Sequence, residues 1–406
     1  EHTLGMTQAA AASSVLRPKP FGGIAATLGW GAYCACSWTW CIGMFLPIIL
    51  LGRFGWTGFW AFAIPNLIGC VAFGYYFTAE RSRHFATAHA GPIRAFSLVT
   101  IAFQIFFVGW STGSFVFAPE LAGDPDPSGT GAAGDFLAWP VLGAILTWTA
   151  GAAALSARGD LFWRWLATLI AAASGVLFAI TFDRVGGFPS VATPSSVAPG
   201  LGILPLMILG FVACPVLDAT FHRARQQSPS RHSFAVFGII FAMMLAFAAT
   251  TFNAGDSASV IPIITPVIVA QWTLQLLFTI GAHLREVTAL PAGRLGQSLP
   301  IFVAIAIGAV LGMPGIAGED AYLMILGLYA IPFPMYVIAA TVRGLDHPLP
   351  GRWVLAILIV SLAASPLGWL GFIENRTWFL LPAAALTAVA GWIIGRMARP
   401  PLPTEG

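Results

Sequence analysis

The sequence predicts an all-α membrane protein with about twelve transmembrane helices. Of its 406 residues, 58% are hydrophobic and only 9% are charged, and the mean hydropathy is +0.83. A soluble domain carries about 25% charged residues, and a disordered chain is poor in aromatic residues. This chain has 31 Phe and 15 Trp. The composition therefore excludes both classes and favours a chain that crosses the lipid bilayer many times.

Charged and Gly/Pro-rich breaks divide the chain into apolar segments, each close to the length that a membrane-spanning helix needs. A helix requires about 20 apolar residues to cross the hydrocarbon core. The twelve predicted spans are 23–51, 56–78, 92–113, 136–156, 161–182, 202–222, 233–253, 260–284, 299–314, 321–342, 352–372 and 377–396. The connections between them are too short to hold a separate soluble domain.

The basic residues predict which side of the membrane each loop faces, because Arg and Lys favour cytoplasmic loops. Of the nineteen basic residues, only Arg53, Arg184 and Arg376 fall on one side of the predicted bilayer, and the other sixteen fall on the opposite side. We therefore expect both termini to be cytoplasmic. The near-absence of Lys favours a bacterial inner membrane. Because the basic residues are scattered and the net charge is only +3, nucleic acid is not expected as a partner.

Helices 1 and 6 are predicted to cross the membrane in opposite directions, so five-helix blocks that begin with them are inverted relative to each other. The expected organisation is a cytoplasmic segment 1–22, with 1–5 left over from cloning, a first five-helix repeat 23–182, a second, inverted repeat 202–342, two additional helices 352–398 and a cytoplasmic tail 399–406. Both leading helices contain small, polar or helix-breaking residues, in "GWGAYCACSWTWCIGMFLP" and "LGFVACPVLDATFHR". Paired interruptions of this kind indicate a transporter site near the bilayer midplane.

The span order, the two interruptions and the turn "LLGRFGWTGFWAFAIPNLIG" resemble the LeuT-like fold of the amino acid/polyamine/organocation superfamily, particularly its sodium:solute symporter branch. The resemblance implies alternating-access symport of a small organic solute, with helices 3 and 8 flanking the site made by helices 1 and 6. The Ser-Ser or Ser-Thr pair that helps bind sodium in that family is absent from the middle of helix 8, so Na⁺ and H⁺ both remain candidates for the bound ion. The major facilitator fold is disfavoured, because its charged signature is absent from "TAERSRHFATAHAGPIR".

Asp218 is the strongest candidate for ion or proton coupling, because an ionisable group costs about 2.5–3.5 kcal/mol in the middle of a transmembrane helix. Helical spacing places it on one face with Phe211, Cys214 and His222, and Pro215 removes a backbone donor nearby. A carboxylate beside an imidazole can bind a proton or a cation. We therefore predict that the coupling site contains Asp218 and His222.

Two further interpretations of this region remain open. Asp218 is also close enough along the helix to form an interfacial ion pair with Arg223 or Arg225. Thr273, on helix 8, is a third candidate for ion coupling.

The predicted substrate-binding residues are polar or aromatic side chains in the middle of helices 1, 3, 6 and 8. Helix 8 carries Gln271, Gln275, Thr279 and His283 at four-residue intervals, a spacing that points them at other helices or a cavity. Tryptophan rings bind cationic or planar ligands. The full set is Ser37, Trp38, Trp40, Gln104, Phe211, Gln271 and Gln275. The alternative is that the polar members form interhelical hydrogen bonds and the aromatic ones only pack.

All five cysteines lie in apolar segments, where a disulfide framework is not expected. An intact helix 1 holds Cys36 and Cys41 on different faces, and only an unwound helix brings them near Cys214. Such a cluster of thiolates suits a soft ion such as Cu(I), so soft-metal transport is an alternative function. Free cysteines also pack as small apolar residues.

The sequence shows no nucleotide-binding loop and no catalytic triad, so neither an enzyme nor a primary pump is expected. A small-molecule substrate is the expected partner besides the bilayer, and the only cofactor considered is a bound Na⁺ or H⁺. The remaining alternative is a membrane sensor or complex subunit with a transporter-like fold that does not transport.

Overall fold

The computed structural model describes residues 20–117, 132–191, 197–252, 261–290 and 294–399, and within these ranges the chain forms helices and no β-strand. The α-helices are α1 (Pro20–Trp38), α2 (Trp40–Tyr76), α3 (Ala79–Ala88), α4 (Ala90–Ser111), α5 (Ala132–Ser156), α6 (Asp160–Arg184), α7 (Ala198–Gly202), α8 (Leu204–Ala213), α9 (Ala219–Gln227), α10 (Ser233–Thr251), α11 (Ile261–Ala289), α12 (Arg294–Gly312), α13 (Glu319–Ala330), α14 (Pro332–Arg343), α15 (Gly351–Gly368) and α16 (Leu380–Met397).

Ten helices in the described part of the chain are long and apolar enough to cross a membrane. The composition-based prediction of a multi-pass helical membrane protein is therefore confirmed at that level. A shorter apolar helix, Ser298–Gly312, lies within α12, at the ninth and shortest predicted span.

The helix α2 contains a turn at Gly55, where the backbone leaves the helical region with φ 60° and ψ −157°. Glycine adopts a positive φ without the steric cost of a Cβ atom. The turn separates 40–54 from 56–76, and it lies inside the segment predicted to connect the first two spans.

The central helices differ from the peripheral ones in burial. In the apolar windows of Trp40–Tyr76 and Ala90–Ser114, 72% and 67% of the residues are buried, against 17% in Ala138–Ser156 and in Gly351–Ile373. The helices α2 and α4 therefore lie mostly in the interior, and α5 and α15 lie at the periphery with most of their residues not buried by protein.

The helix contacts follow a regular pattern. The helix α1 packs against α6 and α10, and α8 packs against α2 and contacts α14. The helix α4 runs along α12, and α11 runs along α5. This packing surrounds the two interrupted segments, α1–α2 and α8–α9, with protein.

Gly69 marks a close approach between α2 and α8. A Cβ atom at this position would lie 2.7 Å from the carbonyl carbon of Phe211, and small residues at helix crossings let two backbones approach. We expect Gly69→Ala to lower the free energy of unfolding by about 1–3 kcal/mol, the usual cost of overpacking. Thermal unfolding of the purified protein in detergent measures this.

Gly327→Ala is the matched control, because a Cβ atom there meets nothing within 4 Å. It should be neutral or slightly stabilising, since alanine favours a helix over glycine by about 1 kcal/mol. Equal effects of the two substitutions would contradict the close approach of α2 and α8.

Candidate functional site

The first interruption lies between Trp38, the last residue of α1, and Trp40, the first residue of α2. Trp40 has φ 32°, a left-handed conformation that is an outlier for a bulky side chain. Its indole Nε1 donates a hydrogen bond to the carbonyl of Ser37, and Thr39 Oγ1 donates to the carbonyl of Ala35 at 2.7 Å. The first bond satisfies the Ser37 carbonyl, whose usual helical donor, Cys41 N, is bonded to Gln104 instead. The Ala35 carbonyl also accepts from Thr39 N at 2.9 Å.

The predicted cause of this interruption is wrong in detail. We expected the glycines and Ser37 to open the backbone, but Gly31 and Gly43 lie inside regular helix. Gly31 instead permits a close approach, because a Cβ atom there would lie 2.6 Å from the Val236 side chain. The backbone departs from helix geometry at Trp40.

The second interruption follows α8, within the segment predicted to contain it. A 3₁₀ turn, Cys214–Leu217, includes Pro215, and Asp218 then adopts an extended conformation with φ −80° and ψ 113°. The Asp218 side chain begins α9 by accepting hydrogen bonds from Thr220 N at 2.7 Å and Phe221 N at 3.3 Å. Aspartate is among the preferred residues at a helix start because it satisfies such free donors.

The two interruptions are joined directly. Thr220 Oγ1 and Ser37 Oγ are hydrogen-bonded at 2.9 Å, and the rings of Trp38 and Phe221 have centroids 4.9 Å apart. Ser37 and Thr220 are completely buried. The start of α9 is therefore fixed to the end of α1 inside the molecule.

A small cavity lies beside this junction and extends towards the end of the molecule that contains Arg53. Its volume is about 40 Å³, enough for about two or three water molecules. The lining residues nearest the two interruptions include Trp38, Trp40, Asn66, Phe211, Cys214 and Tyr329. None of the described residues that line it is charged. The predicted substrate residues Trp38, Trp40 and Phe211 are thus brought together.

Asn66 and Tyr329 were not predicted as site residues. Asn66 Oδ1 accepts a hydrogen bond from Trp38 Nε1 at 2.8 Å, and Tyr329 OH lies 3.0 Å from Thr100 Oγ1. The Tyr329 ring centroid is 5.2 Å from that of Trp40. The sequence feature that could have identified Asn66 as a site residue is its position as a single polar residue in an apolar segment.

The predicted ion pair of Asp218 with Arg223 or Arg225 is wrong. Arg223 Nε lies 3.1 Å from Glu286 Oε1, and Arg225 Nε donates to the carbonyl of Phe77 at 2.6 Å. Asp218 itself is completely buried. Because the helix is interrupted at Asp218, the arginines in α9 turn away from its carboxylate.

The predicted pairing of Asp218 with His222 is also wrong. His222 Nδ1 lies 2.8 Å from Ser82 Oγ, and His222 Nε2 lies 2.9 Å from the carbonyl of Val216. A carbonyl only accepts, so Nε2 carries the hydrogen and the ring holds the 3₁₀ turn against α3. The prediction of one shared helix face required a continuous helix through Phe211, Cys214, Asp218 and His222.

The histidine that faces Asp218 is His283 of α11. Its Nε2 lies 3.9 Å from Asp218 Oδ2, and both side chains are completely buried. Its Nδ1 lies 3.2 Å from Ser97 Oγ of α4. The four-residue stripe in α11 contained this residue, but the sequence did not indicate which stripe member meets Asp218.

The other predicted polar residues of α11 occupy different surroundings. Gln271 Oε1 accepts a hydrogen bond from Ser174 Oγ at 2.8 Å, and Gln275 Nε2 donates a hydrogen bond to Ser174 Oγ at 3.3 Å. Both glutamines therefore bridge to α6. Thr273 lines a separate cavity on the far side of α11, together with Trp148, and lies apart from the Asp218 site.

Gln104 of α4 contacts the first interruption. Its Oε1 accepts a hydrogen bond from Cys41 N at 3.2 Å, one of the free donors at the start of α2. Its Nε2 is buried without a partner in the described part of the chain. Gln104 therefore positions α2, and the two N–H donors of its amide have no partner among the described residues.

The five cysteines have free thiols, and all are buried. Cys36 Sγ donates to the carbonyl of Ala167 at 3.5 Å, and Cys214 Sγ donates to that of Tyr329 at 3.1 Å. Cys36, Cys41 and Cys214 therefore do not converge. Among the residues that the structure describes, no group of three His, Cys, Asp or Glu side chains is arranged to bind a metal ion.

Comparison with known protein families finds no family model that matches this chain, and comparison with curated proteins finds no match either.

Proposed function

We propose that this chain is a secondary active transporter that moves a small organic solute across the membrane by alternating access, driven by a cation gradient. The observation that carries the proposal is the hydrogen bond between Thr220 and Ser37 at 2.9 Å. It joins two interrupted helices at one buried point. Interrupted helices that meet in the membrane interior are typical of transporter binding sites.

The cavity supports an apolar or planar solute as the substrate class. Trp38 and Trp40 supply adjacent aromatic rings with centroids 4.7 Å apart, and Asn66 supplies a polar group among largely apolar neighbours. Sites of this composition bind the body of a ligand by apolar contact and orient it with few polar groups. The cavity volume of about 40 Å³ requires the helices to move before a solute enters.

Charged clusters lie beyond the site at both ends, and we propose that they act as its two gates. Beyond the first interruption, Arg53 lies 2.5 Å from Glu319 and donates to the carbonyl of Phe372 at 2.6 Å. These contacts link α2, α13 and the π-helix Trp369–Ile373 that follows α15. On the α1 side, Glu286 pairs with Arg223. A site that is closed at both ends and opens at one end at a time is what alternating access requires.

The helix contacts support an inverted repeat of five plus five helices. The third and fourth spans are α4 and α5 in the first block and α11 and α12 in the second. In an inverted repeat, a contact of α4 with α12 therefore has a counterpart in a contact of α11 with α5, and both contacts are present. The contact of α1 with α6 likewise corresponds to that of α8 with α14. We propose the twelve-helix arrangement with cytoplasmic termini on this basis, with Arg53 on the opposite side of the membrane.

Cysteine accessibility tests alternating access without knowledge of the substrate. Leu46→Cys places a thiol in the cavity, and Tyr33→Cys places one on the other side of the interruption; both positions are buried. Arg53→Gln removes interactions worth about 1 kcal/mol. It should raise labelling of Leu46→Cys by an impermeant maleimide about three- to tenfold and should lower labelling of Tyr33→Cys.

Arg376→Gln is the matched control, because Arg376 is exposed and lies beside Asn375 at the same end. It should leave both rates unchanged. The wild-type protein, whose native cysteines are buried, gives the background. If Arg53→Gln moves both rates in the same direction, or moves neither, the site does not alternate and the transporter proposal fails in favour of a static scaffold.

A further inference from the structure

The two carboxylate oxygens of Asp218 have different surroundings. Oδ1 accepts hydrogen bonds from Thr220 N at 2.7 Å, Thr220 Oγ1 at 2.6 Å and Phe221 N at 3.3 Å. Oδ2 is buried and has no hydrogen-bond partner in the described part of the chain. One oxygen therefore anchors α9, and the other is available to a ligand.

The imidazole of His283 faces that available oxygen. Its Nε2 lies 3.9 Å from Asp218 Oδ2 and also has no hydrogen-bond partner among the described residues. Because the hydroxyl of Ser97 can donate to or accept from Nδ1, the ring can carry its hydrogen on either nitrogen. Two buried polar atoms without partners are unfavourable. At 3.9 Å they are not hydrogen-bonded, and a hydrogen carried by one of them would satisfy both once the side chains approach to about 3 Å.

We propose that Asp218 and His283 share one proton, and that this proton is the ion that drives transport. The inference rests on the proposed function, which leaves the ion open between H⁺ and Na⁺. The proton arrives from water on one side, forms an O–H bond on Asp218 or an N–H bond on His283, and leaves to water on the other side. No other bond is formed or broken.

The surrounding oxygens favour a proton over an alkali cation. Hard cations require several oxygen ligands. At this site, Ser37 Oγ is already hydrogen-bonded to Thr220 Oγ1, and the carbonyl of Cys36 accepts from Thr279 at 3.1 Å. A proton requires only the two atoms that remain free, Oδ2 and Nε2.

The ionisable groups around the pair do not supply a competing acceptor. Those that interact electrostatically with Asp218 are Glu286, Tyr329, Cys34, Cys70 and Cys214. Glu286 is paired with Arg223 at 3.1 Å and lies 3.9 Å from Arg285. The others are thiols and a phenol, which are neutral near pH 7.

Proton binding acts on the junction of the two interruptions. The Asp218 carboxylate at the start of α9 is stabilised by the helix dipole and receives the backbone donors of α9. A protonated carboxyl accepts hydrogen bonds more weakly, because a charged acceptor forms the stronger bonds. Binding therefore loosens α9, and through Thr220 it loosens the bond to Ser37 beside the cavity.

Infrared difference spectroscopy of the purified protein in lipid nanodiscs, titrated with pH, tests the shared proton directly. We expect one carbonyl band of a protonated carboxyl group that is lost in Asp218→Asn, a variant that keeps an N-cap acceptor. In His283→Phe the midpoint should fall by about one pH unit, a tenfold loss of proton affinity, the size of one hydrogen bond to a charged group. The exposed carboxylate variant Glu80→Gln should change neither.

The labelling rate of Leu46→Cys separates the two proposals. It should change with pH around the same midpoint, lose that dependence in Asp218→Asn, and not respond to replacement of sodium by choline. A response to sodium with no response to pH, or an unchanged midpoint in His283→Phe, would overturn the shared proton while alternating access stands. Absence of the opposed effects of Arg53→Gln would instead overturn the transporter proposal.

Discussion

Trp40→Ala should lower the free energy of unfolding by about 3–5 kcal/mol, the usual cost of truncating a buried tryptophan. Trp40 is only 2% exposed and packs against the rings of Trp38, Phe96, His283 and Tyr329. The substitution leaves a cavity at the centre of the molecule. The neighbouring helices cannot move to fill it, because their contacts with the second interruption hold them in place. Unfolding of the purified protein in mixed micelles measures the loss.

A glycine at the same position gives a sharper test. In a regular helix, Ala is more stable than Gly by about 1 kcal/mol, but at φ 32° the Cβ atom of alanine is strained by about 1–2 kcal/mol. Trp40→Gly should therefore be the more stable of the two variants. Trp60→Ala, at a position that is 52% exposed, should cost much less than Trp40→Ala. If alanine were better than glycine at position 40, the left-handed conformation would be contradicted.

Arg223→Met should lower the free energy of unfolding by about 2 kcal/mol. Removing one partner of a buried ion pair costs about 3–5 kcal/mol. Arg223 is 23% exposed, and Arg285 remains 3.9 Å from Glu286, so we expect a smaller loss here. Thermal unfolding of the detergent-solubilised protein measures the effect.

The control and the double variant identify the cause of this loss. Arg83→Met removes an exposed arginine and should change stability by less than about 0.5 kcal/mol. The double variant Arg223→Met/Glu286→Met removes both charges and should be more stable than Arg223→Met alone, because no carboxylate is left unpaired. A double variant that loses the sum of the two single effects would show that packing, not charge, is responsible.

The sequence predicted the helical class and the second interruption because these depend on local chemistry. Composition alone requires membrane-spanning helices, and Pro215 cannot donate a backbone hydrogen bond wherever it lies. The turn between the first two spans was likewise predicted, since Gly55 tolerates a positive φ. These features are determined by residue type.

The partners of the site residues were not predictable in the same way. A spacing of four residues places Asp218 and His222 on one face only if the helix is continuous, and the extended conformation at Asp218 removes that condition. His283 lies 65 residues further along the chain (283 − 218). Its approach to Asp218 depends on how α11 packs against α1 and α9, which no local pattern specifies.

The turn at Gly55 has a consequence for how the chain enters the membrane. Only one residue separates the helices 40–54 and 56–76, so in the proposed membrane arrangement the two insert together as a helical hairpin with Arg53 near its tip. Arg53 finds its carboxylate partner in Glu319, 266 residues later. During synthesis the ribosome adds about 5–20 residues per second, so the hairpin holds an unpaired arginine for tens of seconds at the slow end of that range. The closure at this end of the molecule is therefore completed only when α13 has been inserted, late in biogenesis.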